Sequence, residues 1–407
     1  MVTPKPRDEG TGYEMRKPVF KDDLVRVGRG TPMGELLRRY WHPVGLCKDA
    51  ESVPRRVRVL GEDLILFRDG AGRAGLVHAR CCHRGTTLYY SKVEERGIRC
   101  CYHGWLFDTQ GHCLEQPCEP QGGLSRDKIR QPWYPLEEKY GLIFAYMGPP
   151  ERKPVLPSYE CLEVVDSGEL VEADDSSIGG GGPVIIPCNW LQHYENVVDP
   201  FHVPVLHGSF SGPQFNLAMA SMPNVTFEAS PRGVLARSMR RMDDGKTFYR
   251  VTEAALPTLR VVPNPRVAQF ARVESIGWVL PIDDTSFRIY VAGRVKKQGD
   301  LARMRSKFNG KDWSEMSEEE HQRYPGDYEA QVGQGAITVH SEEHFAQSDR
   351  GIVIMRRMLQ DELERVAAGH DPIGVNFDPA APPIVFEAGN YIRGEQEEPA
   401  TAGADRS

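Results

Sequence analysis

The sequence predicts an α+β protein in which a small all-β domain precedes a larger domain built on an antiparallel sheet with flanking helices. Three observations support this prediction. Short apolar segments separated by turn residues fill residues 56–114, a second series of strand-like segments fills residues 225–292, and an amphipathic helical pattern follows at 352–368. With 407 residues, the chain is long enough for two or three domains with their own cores.

The first domain is predicted at residues 41–152, after an N-terminal helical segment at 1–40. Its strands are expected at 57–60, 64–67, 76–79 and 105–107, with a further strand leading into Leu114. The proline-rich stretch at 149–157 predicts the exit from this domain.

The second domain is predicted at residues 153–394, and the polar tail at 395–407 is predicted to be disordered. A helix is expected at 188–199. Strands are expected at 225–229, 234–240, 248–253, 259–262, 267–280 and 287–292, with a hairpin turn at Asp244-Gly245. The helix at 352–368 would bury Ile352, Met355, Leu359, Leu363 and Val366 and end at Gly369.

Composition and charge argue against several classes of protein. A net charge of −7 gives no electrostatic reason to expect nucleic acid as a partner. No apolar run approaches the ~20 residues of a membrane span, and the amino terminus has no signal-peptide core, so a cytoplasmic location is expected. The nine cysteines are odd in number and four lie in two loops, so the other five are expected to be reduced small hydrophobes: Cys47, Cys113, Cys118, Cys161 and Cys188.

Those two loops each combine cysteine and histidine at short spacing. They are Cys81-Cys82-His83-Arg84-Gly85 and Cys100-Cys101-Tyr102-His103-Gly104-Trp105. Two thiolates on one iron and two imidazoles on the other form a Rieske [2Fe–2S] centre. A zinc site would accept the same donors, but zinc-finger spacing keeps like ligands together, whereas each loop here mixes the two. Cys81 is preferred to Cys82 because a ligand at Cys82 would leave no spacer before His83.

A second candidate metal site lies in one short segment that contains Asn196, Asp199, His202 and His207. Two histidines and a distant carboxylate form the facial triad of non-haem Fe(II) oxygenases. On a straight α-helix, residues five apart point about 140° away from each other. We therefore expect the helix to break or loosen between the histidines, with Pro200 and Pro204 supplying the break. Taken singly, each histidine is more often an ordinary core or helix-end residue.

Asp199 stands three residues before His202. Any helical turn there would place the two side chains next to each other, so that the carboxylate can accept the imidazole N–H and fix the tautomer.

Together the two segments resemble the large (alpha) subunit of Rieske non-haem iron aromatic ring-hydroxylating oxygenases. The resemblance is strongest to the phthalate dioxygenase-like group, whose subunits work without a separate β chain, and it spans residues 22–393. It implies a catalytic domain of the helix-grip type, with a curved antiparallel sheet. It also implies site residues: Cys81, His83, Cys100 (rather than Cys101) and His103 for the cluster, His202 and His207 for the iron, Asp199 as a bridging carboxylate, and Asn196 as a polar neighbour.

The resemblance places the third iron ligand at Asp327, because Gly335-Ala336-Ile337 and Glu343-His344 match the family's carboxy-terminal pattern. The alternative for Asp327 is a helix cap after Pro325-Gly326. Asp349 is the rival carboxylate, although its position after Ser348 and before the amphipathic helix favours a cap. His340 departs from the group's usual pattern and affects the expected substrate contacts.

The implied activity is that of an oxygenase component that uses O₂ and electrons to hydroxylate an aromatic substrate, in particular an aromatic acid. Because no nucleotide-binding glycine fingerprint is present, the electrons of NAD(P)H would come through a separate reductase carrying flavin and a plant-type cluster. The subunits would form a ring, as a trimer or stacked trimers, with the cluster of one chain close to the iron of its neighbour across Asp199.

Two alternatives remain at this point. The same metals could serve an O- or N-demethylase, or the Rieske domain alone could act as an electron carrier. A substrate carboxylate could be bound by one of four arginines on the predicted strands, although a lone arginine is more often a surface charge: Arg237, Arg240, Arg250 and Arg260.

Overall fold

The structure, a computed structural model, describes residue 15 and residues 17–175, 181–211, 215, 219–264, 273–303, 307 and 310–394. The predicted tail and residues 267–272 of one predicted strand lie outside the described residues. In the part of the chain that is described, no helix is both long enough and apolar enough to cross a membrane.

The N-terminal part contains two short helices followed by three small antiparallel sheets. The elements are α1 (Asp22–Val25), α2 (Pro32–Leu37), β1 (Trp41–Leu46), β2 (Arg55–Val59), β3 (Glu62–Arg68), β4 (Ala74–His78), β5 (Lys92–Glu94), β6 (Gly97–Arg99), β7 (Leu106–Phe107), β8 (Cys113–Glu115), β9 (Trp133–Tyr134), β10 (Leu136–Lys139) and β11 (Leu142–Tyr146). The strand orders are β1-β11-β10, β2-β3-β4-β9 and β5-β6-β7-β8. The predicted all-β domain is confirmed.

Strand β3 is buried on both faces and separates two cores. Leu64 and Leu66 point into the large core that continues into the rest of the molecule. Ile65 and Phe67 point into a small second core, because successive side chains of a strand face opposite sides. The sulfur-bearing residues Cys81 and Cys100 belong to this small core.

The remaining chain forms one large antiparallel sheet with helices against it. Its elements are α3 (Glu160–Glu163), β12 (Leu170–Asp174), α4 (Trp190–Asn196), a π-helix (Val203–Phe210), β13 (Asn224–Ala229), β14 (Gly233–Arg241), β15 (Thr247–Ala255), β16 (Leu259–Val261), β17 (Ser275–Asp283), β18 (Ser286–Val295), α5 (Asp300–Arg303), α6 (Glu318–Arg323), α7 (Asp327–Val332), α8 (Arg350–Ala367) and β19 (Gly389–Arg393).

Among the described residues, the strand order of this sheet is β12-β18-β17-β16-β15-β14-β13, and β19 also pairs with β15. The predicted hairpin joins β14 to β15, where Gly245 adopts φ +82° as such a turn requires. The predicted antiparallel sheet with flanking helices is confirmed. The helix predicted at 188–199 is shorter than expected, since α4 spans only Trp190–Asn196.

Helix α8 closes the core as its apolar pattern predicted. Met355, Leu359, Leu363 and Val366 are buried on one side, whereas Ile352 is only partly buried, and the helix lies against α2, β13 and β14. The N-terminal segment also packs on the second domain, because the Asn189 side chain donates to the carbonyl of Val25 at 2.9 Å. The domain boundaries at 40/41 and 152/153 stay predictions.

Truncating the apolar side of α8 should destabilise this domain. Leu359→Ala removes a fully buried side chain and should cost about 2–5 kcal/mol through lost burial and a residual cavity. Thermal unfolding followed by circular dichroism measures the effect as a lower Tm. The control Val353→Ala changes a half-exposed residue of the same helix and should shift Tm little. Equal shifts in the two variants would contradict the burial of Leu359 in the core.

Candidate metal centres

The two Cys/His loops have the same backbone geometry. In each loop the cysteine carbonyl accepts the amide N–H of a glycine four residues later, at 2.9 Å for Gly85 and 3.1 Å for Gly104. The cysteine N–H donates to the carbonyl five residues later, at Thr86 and Trp105. Both glycines have φ near +75°, which other residues rarely adopt. The sequence therefore builds two matching turns, although its histidines sit at different offsets.

The loops place thiols inside and imidazoles outside. Cys81 and Cys100 are buried, whereas the spare thiols of Cys82 and Cys101 are exposed. The imidazole rings of His83 and His103 lie 4.6 Å apart between centroids and are partly exposed. Two thiols and two imidazoles that converge in this way fit the donor set of a Rieske cluster, with the histidine end at the surface.

The first loop is anchored by Gln131. This buried side chain accepts the N–H of Cys82 at 2.8 Å and donates to the carbonyls of His78 and Arg80 at 2.9 Å. Nothing in the sequence indicates this role, because Gln131 lies about 50 residues after the loop that it holds.

The second site depends on the π-helix at Val203–Phe210. In a π-helix, backbone hydrogen bonds join residues five apart, so side chains at that spacing come to the same face. The imidazoles of His202, which immediately precedes the π-helix, and His207 are therefore neighbours, with ring centroids 5.3 Å apart.

Of the two expected alternatives, the helix loosens between the histidines, and the expectation that Pro204 breaks it is wrong. The chain is loosened rather than broken, and Pro204 lies in the first turn, where its missing N–H has no helical partner to lose. Pro200 lies in the connection between α4 and the π-helix.

Asp327 completes a group of three side chains that could hold a metal ion. One ligand atom each of His202, His207 and Asp327 lies within 4.8 Å of the other two. The Oδ1 atom of Asp327 is 3.3 Å from Nε2 of His207 and 3.6 Å from Nε2 of His202. Burial alone would raise the pKa of Asp327, but the two histidines hold it well below its ordinary value. The carboxylate is therefore negatively charged, as a divalent cation requires.

Asp199 lies on the other side of His202. Its Oδ2 atom is 3.4 Å from Nδ1 of His202, while Oδ1 accepts the N–H of Phe201 at 2.9 Å. An Nδ1–H directed at this carboxylate leaves Nε2, on the Asp327 side, as the free lone pair. Asn196 Nδ2 lies 3.3 Å from Nε2 of His202. The structure thus brings together all five residues predicted for this site.

Asp349, the rival candidate for the third iron ligand, is not part of the group formed by His202, His207 and Asp327. Asp349 occupies the residue before α8, but its side chain accepts the N–H of Ala346 at 2.7 Å and makes no capping bond to α8. The expectation that it caps the amphipathic helix is therefore wrong in detail. Asp327 is not a cap either, since Gly326 occupies the cap position and Asp327 is the first helical residue. His340 accepts the N–H of Lys21 at 3.3 Å.

Three of the four candidate arginines share one face of the sheet, and the fourth does not. Arg237 pairs with Glu228 and Glu387 on the opposite face of β14, so its candidacy is wrong. Arg240 and Arg250 are buried on the inner face, and Arg260 is partly buried there.

Two further side chains hold the metal segment in place, and the sequence alone did not predict their role. His193 on α4 faces Gln331 on α7, with Nδ1 2.9 Å from Oε1, and burial lowers the pKa of His193 to about 3, so its ring is neutral. Arg356 on α8 makes paired hydrogen bonds to Glu195 and to Glu343. Both contacts bridge residues distant in sequence, and local pattern alone carries no signal for them.

Comparisons with known proteins agree with this geometry. The model of the Rieske [2Fe–2S] domain family matches residues 40–136. The chain is 48% identical over 372 residues to the phenoxybenzoate dioxygenase alpha subunit of Ectopseudomonas oleovorans, covering 90% of both chains. It is 29% identical over 399 residues to the phthalate 4,5-dioxygenase oxygenase subunit of Pseudomonas putida, covering 86% of this chain and 87% of the relative.

A solved structure shares the fold. The Pseudomonas putida CBB5 NdmA QL mutant with caffeine superposes with a TM-score of 0.61 at 18% identity, covering 86% of this chain and all of that one.

The fold and the two centres define an oxygenase with a Rieske cluster and a mononuclear iron. The chain belongs to the Rieske non-haem iron ring-hydroxylating oxygenases, as a large subunit of the phthalate dioxygenase-like group. It is an oxidoreductase with a [2Fe–2S] cluster and a mononuclear iron, and it works with a reductase on a small molecule.

Removing the loop anchor should weaken retention of the cluster. Gln131→Ala breaks one hydrogen bond to the first loop and two to the residues just before it, so the iron and acid-labile sulfide content should fall, together with the Rieske signal in electron paramagnetic resonance. Gln110→Ala, which changes an exposed glutamine of the same domain, should leave both unchanged. A Gln131→Ala protein with full cluster content would show that the anchor is dispensable.

Proposed function

We propose that this chain is the oxygenase component that hydroxylates an aromatic acid with O₂. In this proposal Cys81, His83, Cys100 and His103 hold the cluster, and His202, His207 and Asp327 hold the catalytic iron. The observation that carries it is the convergence of two Nε2 atoms on one ionised carboxylate. Fe(II) bound by two histidines and one carboxylate keeps coordination positions open for O₂ and substrate.

The protein residues supply orientation and charge. Asp327 supplies negative charge, and the carboxylate of Asp199 accepts the Nδ1–H of His202 and so fixes its tautomer. Asn196 offers an amide beside the same ring. The contacts of Gln331 with His193 and with Gln192 hold α7, and thereby Asp327, against α4.

An aromatic acid is the substrate class that the relatives favour, since two of them are named for phenoxybenzoate and phthalate. The direct test is turnover of a panel of aromatic acids and aryl methyl ethers with a surrogate reductase, NADH and O₂. Hydroxylated acids would support the proposal. Release of formaldehyde from the ethers without ring hydroxylation would replace it with O-demethylation, and electron transfer without any oxygenated product would leave only a carrier.

The assembly and the partner are part of the proposal. A ring of three subunits, or two stacked rings, would bring the cluster of one chain to the Asp199 of its neighbour, and the Asp199 side chain is about one-third exposed. The reductase would carry flavin and a plant-type cluster.

We place the protein in the cytoplasm, because its nine cysteines are all free and thiols persist there. The domain limits stay as predicted, at 41–152 and 153–394.

Metal content separates the two centres. Wild-type protein should hold three irons per chain, and Asp327→Ala should hold two with an unchanged Rieske spectrum, because only the mononuclear site loses a ligand. Iron analysis beside acid-labile sulfide measures both. Asp349→Ala is the matched control at the rival carboxylate and should keep three irons. Loss of iron in Asp349→Ala but not in Asp327→Ala would reverse the assignment.

Asp199 should matter for turnover rather than for metal content. Asp199→Ala should keep three irons and a normal cluster spectrum, while substrate-coupled O₂ consumption falls at least about tenfold, because the carboxylate that orients His202 and faces the neighbouring subunit is lost. Metal analysis and O₂ uptake on the same preparation check this. Asp244→Ala, at an exposed hairpin turn, is the control. Normal coupled turnover in Asp199→Ala would refute the bridging role.

A further inference from the structure

Three arginines of the large sheet point towards the metal segment. Residues opposite each other in an antiparallel pair share a face, and the register pairs Arg240 with Phe248, Ser238 with Arg250, and Arg260 with Ala254. Phe248, Arg250 and Ala254 alternate along β15 and so share a face. The side chains of all three arginines therefore project from the same face of the sheet.

That side faces the iron ligands. Thr252 belongs to it, and its hydroxyl donates to the carbonyl of Val197 at 3.1 Å, two residues before Asp199. Arg260 is close enough to Asp327 for the two charges to interact, and its Nε atom is buried without a hydrogen-bond partner among the described residues. The row of arginines thus runs along the inner face of the sheet, with Arg260 at the end nearest the metal ligands.

Arg240 and Arg250 differ from the other buried arginines. Five arginines are buried among the described residues. Arg38 pairs with Glu62, Arg294 with Asp166 and Glu169, and Arg356 with Glu195 and Glu343. Within the described part of the chain, Arg240 and Arg250 have no carboxylate partner, although the two residues are only 3% and 7% exposed.

Their hydrogen bonds go to neutral groups. Arg240 donates from Nε to the carbonyl of Ser221 at 2.9 Å and from Nη1 to the hydroxyl of Ser238 at 3.2 Å. Arg250 donates from Nη1 to Oδ1 of Asn390 at 3.0 Å. The nearby Glu274 interacts with Arg250 only through space, since its Oε2 accepts the N–H of Asn264 and its Oε1 has no hydrogen-bond partner in the part of the chain that is described.

Two neighbouring buried cations are costly when neither forms an ion pair with a carboxylate of the described residues. Removing a charge from water costs several kcal/mol unless an opposite charge and hydrogen bonds compensate it. Burial lowers the pKa of Arg250 to about 9 and that of Arg240 to about 10, and each guanidinium keeps unused N–H donors. A planar carboxylate would satisfy both the charge and the donor geometry of such a pair.

We propose that Arg240 and Arg250 form the subsite that binds the carboxylate of the substrate, with Arg260 between this subsite and the iron ligands. The inference rests on the proposed function and deepens it. Along β15, the positions opposite Arg240 and Arg260 are six residues apart, roughly 20 Å of strand at ~3.3 Å per residue. The proposed subsite is therefore displaced along the sheet from the arginine that lies nearest the iron ligands.

The test is equilibrium binding to the metal-loaded protein without reductase or O₂. Benzoate, phthalate and a phenoxybenzoate are the probes, each compared with its uncharged amide by anaerobic calorimetry. At least one acid should bind the wild type at least tenfold more tightly than its amide. Arg240→Gln and Arg250→Gln should each weaken acid binding at least about tenfold, the expected effect of a charged hydrogen bond, and change amide binding less than threefold.

Arg237→Gln is the matched control, because Arg237 lies on the opposite face of the same strand as Arg240 and is paired with carboxylates. It should leave acid binding unchanged. Arg250→Lys keeps the charge and should recover part of the affinity that Arg250→Gln loses. In turnover, the loss should appear mainly in KM for the acid.

A purely structural role for Arg250 predicts a different result. If Arg250 were only structural, Arg250→Gln would lose a stabilising contact and the Tm of the ligand-free protein would fall. The binding role predicts a Tm equal to or above that of the wild type, because the variant removes a buried cation that has no ion-paired carboxylate among the described residues.

The proposal is overturned if no acid binds better than its amide, or if both glutamine variants bind the acids like the wild type. Because binding is measured without turnover, acids that bind through these arginines but are never oxidised would count against the proposed function and leave the subsite standing.

Discussion

The iron site depends on how the backbone brings together two histidines whose spacing does not fit an α-helix. His202 and His207 are five residues apart, and an α-helix would send their side chains in divergent directions. The chain resolves this with a π-helix, a form that is rare and occurs mostly at functional sites. Packing of α7 against α4 then presents the Asp327 carboxylate to both rings. The neighbouring elements therefore hold this irregular segment in place.

Two kinds of buried charge coexist in this domain and serve different ends. Arg356 is compensated by two carboxylates and ties α8 to the helix that precedes the metal segment. Breaking such a buried network leaves an unpaired charge and is strongly destabilising. Arg240 and Arg250, in contrast, contact only neutral groups among the described residues. The proposed carboxylate subsite would account for this cost, because stability is often sacrificed at functional sites.

The Rieske domain separates its own small core from the rest of the molecule. Strand β3 contributes alternate residues to the two cores, so the cysteines of the loops pack against a set of side chains distinct from those behind the large sheet. The loops gain rigidity from matching turns and from Gln131 rather than from regular secondary structure. This arrangement leaves the imidazole end at the surface, where an electron partner can approach.

The sequence alone determined the β-rich first domain, the antiparallel sheet, helix α8, the two Cys/His loops and the His202–His207 segment, because strand alternation, helical periodicity and ligand spacing are local properties. The sequence could not determine how the backbone brings His202 and His207 together across five residues, because a π-helix and a broken α-helix fit the same sequence pattern. It could not separate Arg237 from Arg240, because the face of a strand that is covered depends on elements distant in sequence. Asp327 was placed only by resemblance, and only tertiary packing across 120 residues brought its carboxylate to His207.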